Sequence, residues 1–189
     1  MKKVLYAEMT GEKPDQIAVY SLVVVSKQTP NAPAFTQPHL TIYSYTAGRW
    51  TAVLRSSGSG NTASDLIAAQ SSRMPFTMRF RMVGAADLTG NGRQQLVTSF
   101  WSTGADCGSA VVDVLAYRHG KYRISLKVSD FCGLGATISG SRLVLSGGYY
   151  GHNAPLCCPT IQNARAVVRY DGAAGKWQEQ PKYFSIQTE

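Results

Sequence analysis

The stretch Tyr45-Thr46-Ala47-Gly48-Arg49-Trp50 occurs in three related copies along this sequence. It returns as Tyr117-Arg118-His119-Gly120-Lys121-Tyr122 and, with two extra residues, as Tyr170-Asp171-Gly172-Ala173-Ala174-Gly175-Lys176-Trp177. Each copy lies between two runs of apolar and β-branched residues. Glycine allows the positive φ of a tight turn, and the flanking aromatic residues can pair across two strands. Each copy therefore predicts a β-hairpin, which we call a Tyr–Gly turn.

A second motif also repeats. Ala7-Glu8-Met9-Thr10-Gly11 leads into an apolar run at Gln16–Val19, and Ala86-Asp87-Leu88-Thr89-Gly90 leads into another at Gln95–Thr98. Only a trace of this motif, Ser139-Gly140, is left in the third copy. Two hairpins in the same order, three times over, indicate a repeat architecture.

The repeats predict an all-β fold in a single domain that covers residues 1–189. We expect three antiparallel, blade-like repeats of four strands each, at approximately 4–57, 76–130 and 135–189, and little helix. Closed β-propellers usually have four to eight blades. We therefore expect either a sandwich-like partial β-propeller or half of a ring that a second chain completes as a homo-oligomer.

The composition restricts the kinds of partner. The chain has 44% hydrophobic residues and a net charge of +8. Its cations are scattered without a run of five or more, so we expect no nucleic-acid partner. No stretch approaches the 18 or more apolar residues of a membrane span, so we expect none.

The four cysteines predict the compartment. Their even number and their positions in glycine-rich loops fit two disulfides, and paired C-x2-C zinc ligands are absent. We expect Cys107 and Cys132 each to pair with one of the neighbours Cys157 and Cys158. Disulfides favour an extracytoplasmic location. The opening Met1–Met9 lacks the apolar core of a signal peptide, so we expect the signal segment to be missing from this chain.

The turn from Asp87 to Gln95 has the spacing of a short calcium-binding loop. Asp87 is its only carboxylate, whereas Thr89, Asn91 and Gln95 are neutral. Calcium affinity depends on the number of charged oxygen ligands. We therefore expect a turn held by side-chain hydrogen bonds, with no tight calcium site at Asp87, Thr89 and Asn91 and no other cofactor.

Two family resemblances involve this turn. The stretch Asp87–Val97 resembles the FG-GAP repeats of β-propeller proteins. Residues 84–177, about half of the chain, resemble the LppP/LprE family of bacterial lipoproteins in that turn, in Gly147–Gly151 and in Cys157-Cys158-Pro159. The Cys-Cys-Pro motif is the most specific part. The resemblance implies an extracytoplasmic, often lipid-anchored protein with disulfides and no established activity. A lipobox cysteine is absent near the start of this sequence.

The long loop of the third repeat offers a candidate ligand site. Tyr149, Tyr150, His152 and Asn153, with Trp101 from the equivalent loop, combine aromatic faces with polar groups that suit a glycan or a peptide. Alternatively, the two tyrosines pack over the disulfides. We expect ligands at these loops, because the Tyr–Gly turns are too short and too alike to form a pocket.

The motifs favour binding over catalysis. The sequence contains no G-x-S-x-G, H-E-x-x-H or phosphate-binding glycine loop. We therefore expect no enzyme activity but a non-catalytic, extracytoplasmic binding or envelope-associated protein, whose partner is a glycan, a peptide or another envelope component. Two alternatives are a hydrolase that uses the loop around His152 and a structural protein that assembles through exposed sheet edges.

Overall fold

The computed structural model describes residues 2–11, 16–26, 35–55, 78–102, 110–151 and 159–188. These residues form twelve strands and no helix. The strands are β1 (Lys2–Ala7), β2 (Gln16–Ser26), β3 (Phe35–Thr46), β4 (Arg49–Arg55), β5 (Met78–Ala86), β6 (Gln95–Ser102), β7 (Ala110–Arg118), β8 (Lys121–Ser139), β9 (Arg142–Tyr149), β10 (Ile161–Asp171), β11 (Lys176–Gln180) and β12 (Ser185–Thr188). Within this part of the chain, no helix has the length and hydropathy needed to cross a membrane.

The strands form antiparallel sheets with neighbours in chain order. One sheet has the order β1-β2-β3-β4, and a second runs from β5 through β8 to β11, with β12 paired to β8. The 19-residue strand β8 pairs with β7 and β12 in its first part and with β9 in its last part. We therefore define unit 1 as β1–β4, unit 2 as β5–β7 with β8 up to Asp130, and unit 3 as the rest of β8 with β9–β11. The predicted all-β fold of four-stranded, blade-like units is confirmed.

The three Tyr–Gly turns are hairpins, as their sequences predict. Both central residues of the first two turns have positive φ, namely 52° at Ala47 and 79° at Gly48, and 49° at His119 and 76° at Gly120. This is the type I′ geometry that matches the twist of the strands. The flanking aromatic rings lie opposite each other with centroids 5.1, 5.0 and 5.3 Å apart, in the pairs Tyr45–Trp50, Tyr117–Tyr122 and Tyr170–Trp177.

Two apolar cores join the three units, because each strand points alternate side chains to opposite faces. The first core lies between units 1 and 2 and contains Ala7, Met9, Ala18, Leu40, Ile42, Met82, Leu96, Leu115 and Tyr122. The second lies between units 2 and 3 and includes Val97, Val112, Val114, Leu126, Leu143, Leu145, Ala166, Val168 and Trp177. The aromatic pair of each later unit therefore faces the unit before it. No described unit precedes unit 1, and its Trp50 is 46% exposed.

The C-terminal segment ties unit 3 back to unit 2. Strand β12 adds to the edge of unit 2, with Ser185 opposite Ser129. Before it, the buried carboxylate of Glu179 accepts hydrogen bonds from the backbone N–H groups of Tyr183 (3.1 Å) and Phe184 (3.0 Å). Burial raises the pKa of Glu179, and these two hydrogen bonds act in the opposite direction. The carboxylate thus fixes the path by which the chain returns to unit 2.

Candidate functional site

The loop predicted to bind a ligand is described in part. Tyr149 is half-buried at the end of β9, and its ring centroid lies 5.4 Å from that of Tyr183, beside the second core. Tyr150 is half-buried as well, and Trp101 lies on β6, where it pairs with Arg79 and Ala110. His152 and Asn153 lie outside the described residues. The contact that the structure gives Tyr149 is one of packing, and a ligand site in this loop stays a prediction.

The predicted disulfides also involve residues that are not described. Cys132 lies on β8, where its backbone pairs with Gly148. Cys107, Cys157 and Cys158 lie outside the described residues. The two bridges, and the extracytoplasmic location inferred from them, stay predictions.

The carboxylate of Asp87 is directed to the backbone of its own turn. Its Oδ1 accepts hydrogen bonds from Gly90 N (2.8 Å) and Asn91 N (3.2 Å), and its Oδ2 accepts one from Gly92 N (2.8 Å). Because glycine at 90 and 92 has positive φ, successive N–H groups converge on the carboxylate. Asp87 therefore acts as the internal acceptor that shapes the turn.

The other two predicted metal ligands also accept hydrogen bonds within the loop. Thr89 Oγ1 accepts one from Gln95 Nε2 (3.2 Å), and Asn91 Oδ1 accepts one from Arg93 N (3.0 Å). In the described part of the chain, no group of three or more His, Cys, Asp or Glu side chains is placed to hold a metal ion. The expectation about calcium stays a prediction.

Two equivalent buried glutamines hold the turns of the second repeated motif, which lie between β1 and β2 and between β5 and β6. Gln95 Oε1 accepts a hydrogen bond from Leu88 N (2.7 Å), and Gln95 Nε2 donates to the carbonyl of Arg93 (2.6 Å). In unit 1, Gln16 Oε1 accepts from Met9 N (2.7 Å) and Thr10 N (3.1 Å). From the sequence, Gln95 is expected only as a neutral position of the calcium-like spacing, and Gln16 only as the start of an apolar run. In both turns a glutamine follows an apolar residue by seven positions, and the glutamine side-chain oxygen accepts a hydrogen bond from the backbone N–H of that residue. This repeated spacing is the sequence signal for the role of the two glutamines.

The turns of the second motif in units 1 and 2 also contact each other and so hold unit 1 against unit 2. Gln94 N donates to the carbonyl of Glu8 (2.8 Å), and Glu8 N donates to Gln94 Oε1 (3.0 Å). A Cβ atom at Gly11 would lie 3.2 Å from Cγ of Arg93, so glycine allows this close approach. These contacts set the distance between the two sheets.

A cleft of about 910 Å³ lies between units 1 and 2 on the side of their Tyr–Gly turns. Unit 1 lines it with the turn Ser44–Gly48, with Val53 and Leu54 from β4, and with Thr10 and Gln16. Unit 2 lines it with Tyr117 and with the turn residues Gly120–Tyr122. The expectation that these turns are too short to form a pocket is wrong, because two turns on neighbouring sheets form the cleft together.

At the equivalent position between units 2 and 3, an arginine covers the aromatic ring. The guanidinium carbon of Arg118 lies 5.8 Å from the ring centroid of Tyr170, within the range of a cation–π contact. In the aligned turns, Tyr117 corresponds to Tyr170 and Thr46 corresponds to Arg118. A threonine side chain ends at its hydroxyl and methyl groups and cannot extend over the neighbouring ring as Arg118 does. The two interfaces therefore differ at this position, where an arginine covers the ring in one and a threonine lies beside the ring in the other.

The polar groups of the cleft are neutral or cationic. Among its described lining residues, Lys121 is the charged one, and Asp and Glu are absent. The Tyr122 hydroxyl is buried without a hydrogen-bond partner among the described residues. Burial, together with neighbouring Tyr117, raises the pKa of Tyr122 to about 12, so that the hydroxyl keeps its proton at physiological pH. The cleft thus offers hydroxyl and ammonium groups beside an aromatic ring.

Unit 2 also contains a buried acid. Asp113 on β7 is 5% exposed and lies between Thr98 on β6 and Lys127 on β8. Its Oδ1 has no hydrogen-bond partner among the described residues. Burial raises the pKa of Asp113 from 3.8 to about 7, although the Lys127 ammonium lowers it in part. The carboxyl lies away from the described lining of the cleft.

Comparison with known proteins yields no family model, no curated protein and no solved structure that matches this chain. The resemblances to FG-GAP repeats and to the LppP/LprE family stay predictions.

Proposed function

We propose that this protein is a non-catalytic, extracytoplasmic binding protein that takes a saccharide in the cleft between units 1 and 2. The observation that carries the proposal is the difference between the two interfaces. Arg118 covers the Tyr170 ring at one interface, whereas Thr46 leaves a cleft of about 910 Å³ beside Tyr117 at the other. The space beside Tyr117 leaves room for a ligand between units 1 and 2.

The lining of the cleft suits the chemistry of a sugar. A pyranose ring has apolar C–H faces that stack on aromatic rings and hydroxyl groups that exchange hydrogen bonds with polar side chains. Tyr117 supplies such a ring, and Ser44 and Thr46 supply hydroxyl groups beside it. The volume lies within the range of about 300–1,000 Å³ that is typical of small-molecule sites.

The charge of the cleft favours a neutral or anionic saccharide. Lys121 lines it, and no carboxylate is among the described lining residues. The chain as a whole carries a net charge of +8, which attracts anionic ligands at low ionic strength. Envelope polysaccharides are ligands of this kind, in keeping with an extracytoplasmic location inferred from the four cysteines.

The substitution Thr46→Arg should block the cleft. The new guanidinium would reach the Tyr117 ring as Arg118 reaches Tyr170, and it would occupy the place of the ligand. We expect a glycan array to identify a saccharide bound by the wild-type chain, and titration calorimetry to show at least about tenfold weaker binding by Thr46→Arg.

The matched control is Ala173→Arg, which adds the same group to an exposed position in the Tyr–Gly turn of unit 3, outside the described cleft lining. It should bind like the wild-type chain. Equal binding by all three proteins would place the ligand elsewhere. A wild-type chain that retains peptides but no saccharide would contradict the proposed ligand class.

A further inference from the structure

Unit 1 has one sheet face that no described unit covers. Leu5, Ala7, Ala18, Leu40 and Ile42 point into or against the first core, so the alternating residues point to the opposite side. We call this side the outer face of unit 1. Its described members are Val4, Tyr6, Ile17, Val19, Thr41, Tyr43, Tyr45, Trp50, Ala52 and Arg55. Val4 is 51% exposed and Tyr6 is 67% exposed.

The equivalent face of unit 2 is buried. In the aligned repeats, Ile17 corresponds to Leu96, Tyr43 to Leu115 and Trp50 to Tyr122. Leu96 and Leu115 are 0% and 1% exposed and form part of the first core against unit 1. The outer face of unit 1 therefore has the composition and position of a surface that packs on another sheet.

The open face of unit 3 is a poor partner for the outer face of unit 1. It carries Arg165 and Arg169, which are exposed, and Arg169 is hydrogen-bonded to Gln180 (3.0 Å). If two chains closed a six-unit ring, these arginines would lie against Val4, Tyr6 and their neighbours. Burying a guanidinium against apolar groups is unfavourable unless a counter-charge accompanies it. Ring closure is therefore disfavoured.

We propose that the outer face of unit 1 binds the same face of a second copy of this chain in a two-fold symmetric dimer. In such an interface the same patch of both chains meets, so a charge near the two-fold axis would lie close to the same charge of the second chain and repel it. On the two central strands, the described members Ile17, Val19, Thr41 and Tyr43 carry no charge, although the chain has a net charge of +8. Arg55, opposite Thr41, and the neighbouring Arg49 lie on the edge strand β4, where the rim of an interface is solvated.

The sheet is large enough for such an interface. Its strands have 6, 11, 12 and 7 residues. With strands about 4.8 Å apart and about 3.3 Å per residue, the flat area of the sheet is roughly 570 Å². Two such faces together exceed the total of about 1,000 Å² that a specific interface should bury. Aligned packing of two sheets also leaves their edges free.

Sedimentation velocity of the full chain over a range of concentrations tests this proposal. The wild-type chain should pass from the monomer mass of 20.4 kDa to twice that mass as the concentration rises. Tyr6→Glu places a charge on the outer face and should raise the dissociation constant at least about tenfold. Ile161→Glu is the matched control, since Ile161 is a 37% exposed residue of unit 3, and it should dimerise like the wild-type chain.

Circular dichroism will show whether Tyr6→Glu folds, and Val4→Glu is the second variant if it does not. A wild-type chain that stays at 20.4 kDa at every concentration would overturn the proposal. So would a Tyr6→Glu dimer of wild-type affinity, or growth beyond two chains, which would instead indicate assembly through sheet edges.

Discussion

Replacing Asp113 by asparagine should remove a pH-dependent loss of stability of about 4 kcal/mol that the wild-type protein shows between pH 4 and pH 7. The folded-state pKa is about 7 because the carboxyl is buried, whereas its ordinary value is 3.8. Between these two values the unfolded chain releases the proton and the folded chain keeps it. The free energy of unfolding therefore falls as the pH rises through this range, and it levels off above about pH 7.

Urea unfolding at a series of pH values from 4 to 8 checks this expectation. The difference in unfolding free energy between wild type and Asp113→Asn should change steadily from pH 4 to pH 7. Burial also raises the pKa of Glu179, which gives a pH dependence of the same sign, but that contribution is common to both proteins and cancels. Parallel pH profiles for the two proteins would mean that Asp113 ionises in the folded state as it does in water.

The substitution Gln95→Ala should lower the free energy of unfolding by about 3 kcal/mol. It removes the acceptor of the buried Leu88 N–H and the donor to the carbonyl of Arg93. A buried polar group left without a partner costs about 1–3 kcal/mol, and the lost side chain also leaves a cavity. Gln16→Ala should cost a similar amount, because Gln16 binds Met9 N and Thr10 N in the same way.

The control for both substitutions is Gln180→Ala. Gln180 is exposed, and its hydrogen bond to Arg169 competes with water, so its loss should cost less than about 0.5 kcal/mol. Chemical denaturation of the three variants gives the comparison. If Gln95→Ala and Gln16→Ala cost no more than Gln180→Ala, the glutamines do not hold the turns.

The hairpins could be predicted because they depend on local residues. A glycine with positive φ between two β-branched runs specifies a tight turn wherever it occurs, and the aromatic residues flanking Gly48 and Gly120 pair across the strands as expected. The repeat of two such hairpins then gave the number of units. These features need no knowledge of contacts between distant parts of the chain.

The cleft could not be predicted, because it depends on which residues of different units meet. Arg118 covers a ring 52 positions later in the sequence, and the importance of Thr46 appears only when the two interfaces are compared. The loop that seemed site-like from its composition, around Tyr149, shows a packing contact with Tyr183 in its described part. Composition indicates the chemistry that a loop offers, but it does not show what the loop contacts.

The path of the chain between units 2 and 3 was also not predicted. The predicted units end at 130 and resume at 135, yet β8 continues through Gly133, which has a φ of 61°, and its register shifts between Cys132 and Gly135. Strand β12 is short, and nothing in Ser185–Thr188 specifies β8 as its partner. The buried Glu179 holds the backbone just before this strand through hydrogen bonds from Tyr183 N and Phe184 N.

The equivalence of the three units is the central claim, since the open cleft and the free outer face both depend on it. Acrylamide quenching of single-tryptophan variants in dilute solution tests it most directly. One variant keeps Trp50 and the other keeps Trp177, with the remaining tryptophans changed to phenylalanine. We expect Trp50, which is 46% exposed, to be quenched several-fold faster than Trp177, which is 6% exposed. Equal quenching of the two would contradict the stacking of units in which each aromatic pair faces the unit before it.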